Sequence, residues 1–482
     1  MNSSHASIAT PRATPRIIPR SEHSISRSHV APNALRVLYR LRDGGFMAFL
    51  VGGCVRDLLL GLEPKDFDVA TDALPEQVKR LFRNCRLVGR RFRLAHVFFG
   101  RETIEVATFR ATSAPAQGDE PLPDADPEDG EAPELDDEIG ADATPAIADD
   151  AARAFDATGR IIRDNVYGTI DEDVWRRDFT ANALYYNIAD FSLWDYVDGA
   201  EDIAARRLRL IGDPETRLRE DPVRMLRAAR FEAKLGFELD PATAAPIGPL
   251  RELLSGVPPA RLFDETLKLF LTGHGARSLD VLRRRGLLAV LLPNVDSYFV
   301  SHPGSLVEKL VLEGLKNTDV RVLADKPVTP SFLFALLLYG PIAALIEATP
   351  PERWHELATI LDASDQATRE AQARLAIPKR FALGVREMFA LQPRLEHPRG
   401  RRALRVLEHP RFRAAYDLLL LRAAYGLAPA EMARWWTRLQ EVPPDERGRM
   451  ADALAGTGAG PPAARRRGAR RRRRRPRAAA PS

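Results

Sequence analysis

Cysteine is almost missing: Cys54 and Cys85 are the only two in 482 residues. That count excludes a disulfide framework and suits a reducing compartment, so a cytoplasmic protein is expected. Also missing is an apolar run of the ~20 residues that a membrane helix needs. The nearest approach, FLFALLLYGPIAALIEA at 332–348, is broken by Gly340-Pro341. It reads as two buried helices, and no membrane partner is expected. Lysine and arginine vanish from residues 111–152, which hold fourteen Asp or Glu. Poor in aromatics and rich in proline and acid, that stretch cannot supply a core and is expected to be disordered. Setting its charges aside raises the net charge from +5 to +19. A skew of that size suits a polyanionic partner such as nucleic acid, although many basic chains bind nothing specific.

What is present is a globular composition, 45% hydrophobic and 28% charged, in a chain too long for one core. Two to four domains are expected. The first 33 residues are rich in Ser, Arg and Pro with one acid, Glu22. This loosely matches a transit peptide, but the prolines break an amphipathic helix and no apolar signal region follows, so a disordered extension is expected. Residues 46–110 alternate strand and helix patterns. FMAFLVGG reads as a buried strand, followed by a helix from near Val55 to near Gly61. FDVAT reads as a second strand, LPEQVKRLF as a helix, and AHVFFG and TIEVATF as paired strands around Gly100. ANALYYNI carries apolar residues at helical spacing, and RLRLIGDP is a short strand or turn. From about residue 214 onward every strong pattern is helical. The tail holds ten arginines between 465 and 477 and cannot fold. No internal repeat recurs at a fixed period.

Two features carry chemistry. In VGGCVRDLLLG, Gly52 and Gly53 let a backbone approach something closely, and helix-terminal amides favour an anion such as phosphate. Arg56 would add a charged fork. Ten residues on, DFDVAT places Asp66 and Asp68 on one face of a strand, with Phe67 and Val69 on the other. Two carboxylates on one face repel unless an arginine or a divalent cation sits between them. A Gly-Gly turn near such a pair suits a two-metal phosphoryl-transfer site. Ion pairs with Lys65 or Arg56 would account for the aspartates without any metal. His96 lies in an apolar strand and reads as a packing residue; Cys54 reads as a small filler behind the turn.

LVGGCVRDLLLGLEPKDFDVAT, RRDFTANALYYN and EDPVRMLRAARFEAKLGF, in that order, resemble the motifs of the class II nucleotidyltransferases. That superfamily holds the CCA-adding tRNA nucleotidyltransferases and the bacterial poly(A) polymerases. The likeness covers roughly residues 46–240 apart from the acidic insert. LVGRRFRLAHV (87–97) and RDNVYGTIDEDVWRRDF (163–179) resemble the poly(A) polymerase branch in particular.

The resemblance implies that Asp66 and Asp68 hold catalytic Mg²⁺, with Glu105 a candidate third carboxylate or else an ordinary strand ion pair. It implies that Arg177 meets the triphosphate, with Gly52, Gly53 and Arg56 counted among the nucleotide-binding residues. Asp178 and Asn182 would sit near the ribose, with Asp178 counted among the catalytic groups; Asp178 could instead cap a helix. In EDPVRMLRAARF, Asp221, Arg224, Arg227 and Arg230 recur every third residue as one drifting polar stripe. The implied roles are base reading for Asp221 and Arg224, support of that geometry by Glu220, and nucleotide binding for Arg227 and Arg230. A solvated helix face is the plainer alternative.

The expected fold class is α+β, a nucleotidyltransferase-type mixed α/β head followed by an all-α neck and body, with disordered termini. Boundaries follow as an extension 1–33, a head 34–187 with its acidic insert 111–153, a neck 188–275 for base recognition and RNA binding, an RNA-binding body 276–455, and an Arg-rich tail 456–482. The implied activity is template-independent addition of AMP from ATP to RNA 3′ ends, with RNA-decay machinery a further partner. A CCA-adding enzyme and a non-catalytic RNA-binding scaffold are the alternatives; two intact metal aspartates count against the scaffold.

Overall fold

The computed structural model describes residues 12–89, 93–111, 153–155, 161–164 and 166–456. The acidic insert and the arginine tail, both expected to be disordered, lie outside them apart from short flanking pieces.

The head is built on an eight-stranded mixed sheet. Its strands are β1 (Arg16–Ile18), β2 (Ala48–Val51), β3 (Asp68–Thr71), β4 (Cys85–Val88), β5 (Leu94–Phe99) and β6 (Glu102–Thr108). After a hairpin of β7 (Arg153–Phe155) and β8 (Ile161–Asp164) come β9 (Leu184–Asn187) and β10 (Leu193–Asp195). The spatial order is β1-β10-β9-β2-β3-β6-β5-β4, with β3 and β6 parallel and the other neighbours antiparallel. Along β2, Ala48 and Leu50 face one core, while Phe49 and Val51 face the other. The first face is covered by α1 (Pro32–Asp43), α2 (Gly53–Leu59) and α3 (Pro75–Leu81), the second by Ile170 and Val174 of α4 (Ile170–Arg176). Burial on both faces explains why β2, AFLV, reads as an unbroken apolar run.

Two expectations need correction. ANALYYNI is not helical: a single 3₁₀ turn, Thr180–Asn182, leads into β9, whose Leu184 and Tyr186 join one core and Tyr185 the other. The N-terminal extension is not disordered from Arg12 onward. β1 pairs with β10 at the sheet edge, Ile18, Ile25 and Val30 are buried, and Arg12 and Arg16 reach Asp198 and Glu201 at 2.6 and 2.7 Å. Few as they are, these apolar residues suffice because a sheet edge offers unpaired backbone groups.

The chain around the insert is closed on itself. Ala111 N–H donates to the Val166 carbonyl at 2.9 Å and Gly168 N–H to that of Phe109 at 3.0 Å, so Arg110 and Tyr167 pair as a short antiparallel ladder.

Beyond β10 lie α5 (Gly199–Ala204), α6 (Pro214–Glu220), α7 (Val223–Leu235) and a small parallel pairing of Arg207–Leu208 with Glu238–Leu239. Helices follow to residue 456, and buried apolar side chains run continuously from the head to Leu439. The apolar stretch at 332–348 forms two helices, Pro330–Leu337 and Tyr339–Glu347, bent by 48° at Leu338, with Leu333, Phe334 and Leu336 fully buried. Among the described residues no single helix is long and apolar enough to cross a membrane.

Candidate active site

Sheet register sets the site. Tyr185, Val51, Asp68, Glu105, His96 and Arg86 lie side by side across β9, β2, β3, β6, β5 and β4. Asp68 opens β3, while Asp66 stands two residues before it, exposed. The expected strand therefore begins later than its sequence pattern. Burial, followed by the charges of Glu105 and Asp66, raises the Asp68 carboxyl to about 6, with Arg177 pulling it back down. Glu105 also lies 3.5 Å from His96 Nε2, a cross-strand contact that becomes an ion pair when the imidazole is protonated. Among the described residues, no three His, Cys, Asp or Glu side chains close into a metal-binding cluster.

Gly52 follows β2 with φ +76°, a left-handed conformation that strains any L side chain. A Cβ there would lie 3.6 Å from Asp68 Oδ2 and 3.8 Å from Arg177 Nη1. The missing side chain keeps open the gap between a carboxylate and a guanidinium. Gly53 begins α2, earlier than expected from the sequence. Cys54 is a filler as expected: buried, its Sγ donates to the Val51 carbonyl at 3.2 Å, and burial pushes the thiol up to about 12.

Arg177 is fixed from behind. Its Nε donates to Tyr185 Oη at 2.8 Å, its Nη2 lies 3.1 Å from Asp173 Oδ2, and Tyr185 Oη donates to the same carboxylate at 2.7 Å. Burial favours the neutral guanidine, yet Tyr185 and Asp173 hold Arg177 firmly charged.

The loop after it is a second network. Asn182 donates to Asp178 Oδ1 at 3.1 Å and accepts from Arg56 Nη1 at 2.5 Å. Arg56 is buried and also grips Asp57, so it does not stand free at the turn. Asp178 Oδ2 takes both Nε and Nη2 of Arg227. Burial would raise the Asp178 carboxyl; Arg227, Asn182 and the Phe179 N–H together hold it well below the usual range. Asp178 does not cap an α-helix, since only the 3₁₀ turn follows it. Gly199 lets this loop pack: a Cβ would stand 2.3 Å from the Thr180 carbonyl oxygen.

The arginines of α7 do not form a bare solvated face. Arg224 donates to the Arg217 carbonyl at 2.7 Å and meets Glu220 at 3.2 Å; Arg230 meets Glu265 at 2.8 Å. Asp221, just before α7, accepts from both terminal nitrogens of Arg261 at 3.2 and 3.1 Å. Phe231 lies under Arg56, Arg227 and Arg230, with the Phe179 ring edge-on at 5.6 Å. Arg217 Nη2 ties this helix pair to the Arg177 carbonyl at 2.8 Å, and burial beside Arg224 lowers the Arg217 guanidinium to about 10.

Sequence reasoning missed Asp173, Tyr185, Arg217, Arg261 and Glu265. Asp173 lies four residues before Arg177, a spacing that helical ion pairs favour, and could have been found. Arg261 and Glu265 act 40 and 35 residues away from their partners, and no local signal points to them.

Family models match three stretches: a Poly A polymerase head domain at 48–209, a probable RNA and SrmB-binding site of polymerase A at 236–299, and a polymerase A arginine-rich C-terminus at 352–478. The chain is 45% identical to a Poly(A) polymerase I from Escherichia coli O6:H1 over 449 residues, covering 92% of this chain and 89% of that one. Identity to a CCA-adding enzyme from Lactobacillus helveticus is 33%, over 52% of each chain. Among solved structures, one described as a tRNA-processing enzyme in apo form superposes with a TM-score of 0.54 at 20% identity, covering 90% of this chain and 99% of that one.

Proposed function

This chain belongs to the bacterial poly(A) polymerase family, and we propose that it extends RNA 3′ ends without a template, taking AMP from ATP and releasing pyrophosphate. One observation carries the reading: Asp68, paired with Glu105 in the sheet register, stands on one side of the side-chain-free Gly52 turn, with the rigid Arg177 on the other.

In that reaction the RNA 3′-hydroxyl attacks the α-phosphate of ATP, and the bond to the β-phosphate breaks. The family works with divalent metal ions. We assign Mg²⁺ to Asp66, Asp68 and Glu105, and the chemistry of the donors supports it: all three offer hard carboxylate oxygens, with Asp68 and Glu105 paired in the sheet register. Bound there, the ions would acidify the hydroxyl and offset charge gathering on the phosphate oxygens.

The protein's own groups handle the rest. Arg177, clamped by Asp173 and Tyr185, is pre-set to donate to the triphosphate. Gly52, Gly53 and Arg56 shape that phosphate-side wall. Asp178, kept ionised by Arg227, can accept from a ribose hydroxyl to which Asn182 donates, a pairing that favours ribonucleotides. Asp221 and Arg224 are assigned to the base edge, with Arg227 and Arg230 holding the nucleotide from α7.

Neck residues 188–275 and body residues 276–455 are proposed to grip the RNA. The matched RNA and SrmB-binding stretch supports a protein partner at residues 236–299, and RNA-decay machinery is proposed as a further one. A cytoplasmic location is supported by two buried, free cysteines.

The test is incorporation of each NTP in turn into an unrelated RNA with Mg²⁺. Preference for ATP, long homopolymer tails and loss of activity with a chelator are expected. A tRNA lacking its 3′ end that receives C, C and A and then stops would promote the CCA-adding reading instead.

A further inference from the structure

In the helical body, the end of the helix Lys379–Glu396, the turn after it and the helix Arg402–Leu407 enclose a cavity of about 610 Å³. Arg394, Arg399, Arg402 and Arg405 line it, and no Asp or Glu does. All four are exposed, and none has a carboxylate partner among the described residues. Arginines close by behave otherwise. Arg386 is held by Asp365 at 3.1 Å, Arg401 by Asp452 at 3.0 Å and Arg411 by Glu387 at 3.1 Å. Four like charges converging without a counter-charge repel, which leaves the cavity poised for an anion.

Its other walls narrow the choice of anion. The rings of His355, His397 and His409 border the cavity, over a buried apolar floor of Leu391, Ala403 and Val406. Guanidinium forks match phosphate oxygens, while flat rings and an apolar floor suit an unstacked base. An acidic peptide would use the arginines and leave the floor without a role. The volume falls within the ~300–1,000 Å³ of pockets that hold small organic groups.

We propose that this cavity binds a nucleotide unit of single-stranded RNA, with the phosphodiester on the arginines and the base against the floor. It acts as a second hold on the strand whose 3′ end is being extended. The inference rests on the reading of the chain as an RNA-extending enzyme.

The test uses the full chain carrying Arg402→Ala with Arg405→Ala. The probe is a single-stranded oligoadenylate of about thirty nucleotides ending in a 3′-deoxy residue, so binding is read apart from adenylation. Two lost phosphate contacts, at ~0.7 each, should flatten log affinity against log salt by ~1.4 and weaken binding about tenfold near physiological salt. Arg402→Lys with Arg405→Lys should keep the slope. Arg405→Gln alone should give about half the change, and it carries the test should the double variant melt early. Unchanged affinity and slope would overturn the proposal. So would a loss confined to a polyglutamate probe, which would assign the cavity to an acidic protein. Failure of the wild-type chain to extend an ordinary 3′-hydroxyl RNA would sink the proposed reaction while leaving this binding result readable.

Discussion

Single residues divide here into those that touch the reaction and those that aim them. Asp66→Ala or Asp68→Ala should cut RNA extension by about three orders of magnitude or more, with an unchanged melt, because one ligand's loss costs several kcal/mol of transition-state stabilisation. Near-normal extension by either variant would undo the metal assignment. Asp178 is a stability residue as well. Its folded value lies below the roughly 3.9 of an unfolded aspartate. Its contribution is therefore fully present above about pH 4 and is lost only as pH falls through the folded value. Arg227→Met removes the counter-charge but keeps the burial, so the Asp178 value should rise above its unfolded one. The variant should then lose about 3–5 kcal/mol near pH 8, and the deficit should shrink toward pH 5, as denaturant melts at the two pH values would show. A deficit independent of pH would mean that Asp178 stays ionised on another partner. The aspartate pair and the glycine turn were legible because their chemistry is adjacent in sequence. The Asp178–Arg227 contact was not, since it spans 49 positions and forms only on folding.

At the level of elements, β6 was legible because buried Ile104 and Val106 alternate with exposed Thr103 and Glu105, and β2 because its apolar run stops at the Gly52-Gly53 turn. β9 was not: with Leu184, Tyr185 and Tyr186 all buried, its apolar run carries no usable period. β1 was hidden by a Ser-, Arg- and Pro-rich context in which Ile18, Ile25 and Val30 are the few buried anchors. A chain starting at Arg12 should melt like the full protein. One starting at Pro32 should lose about 5 kcal/mol, given roughly 1.5–3 kcal/mol per buried aliphatic side chain. Calorimetry of the two truncations decides it, and equal melting temperatures would mean that the strap contributes nothing to the head.

For the molecule as a whole, charge is as much a part of the design as shape. The insert's fourteen acids can compete with RNA for the basic surface of the remaining chain. Deleting residues 115–150 should leave the fold intact and tighten RNA binding at low salt, with the difference fading as salt screens it. An unchanged affinity would make the insert a passive spacer. Its exit and return at Ala111 and Val166 have a mechanical meaning too. One rail of that short ladder continues β6, which carries Glu105; the other leads into α4 and on to Arg177. A guest domain spliced in at this point would pull on both jaws of the cleft whenever its own termini move apart. The position is thus a natural input port, where a ligand-responsive domain would turn polymer synthesis into a tunable output.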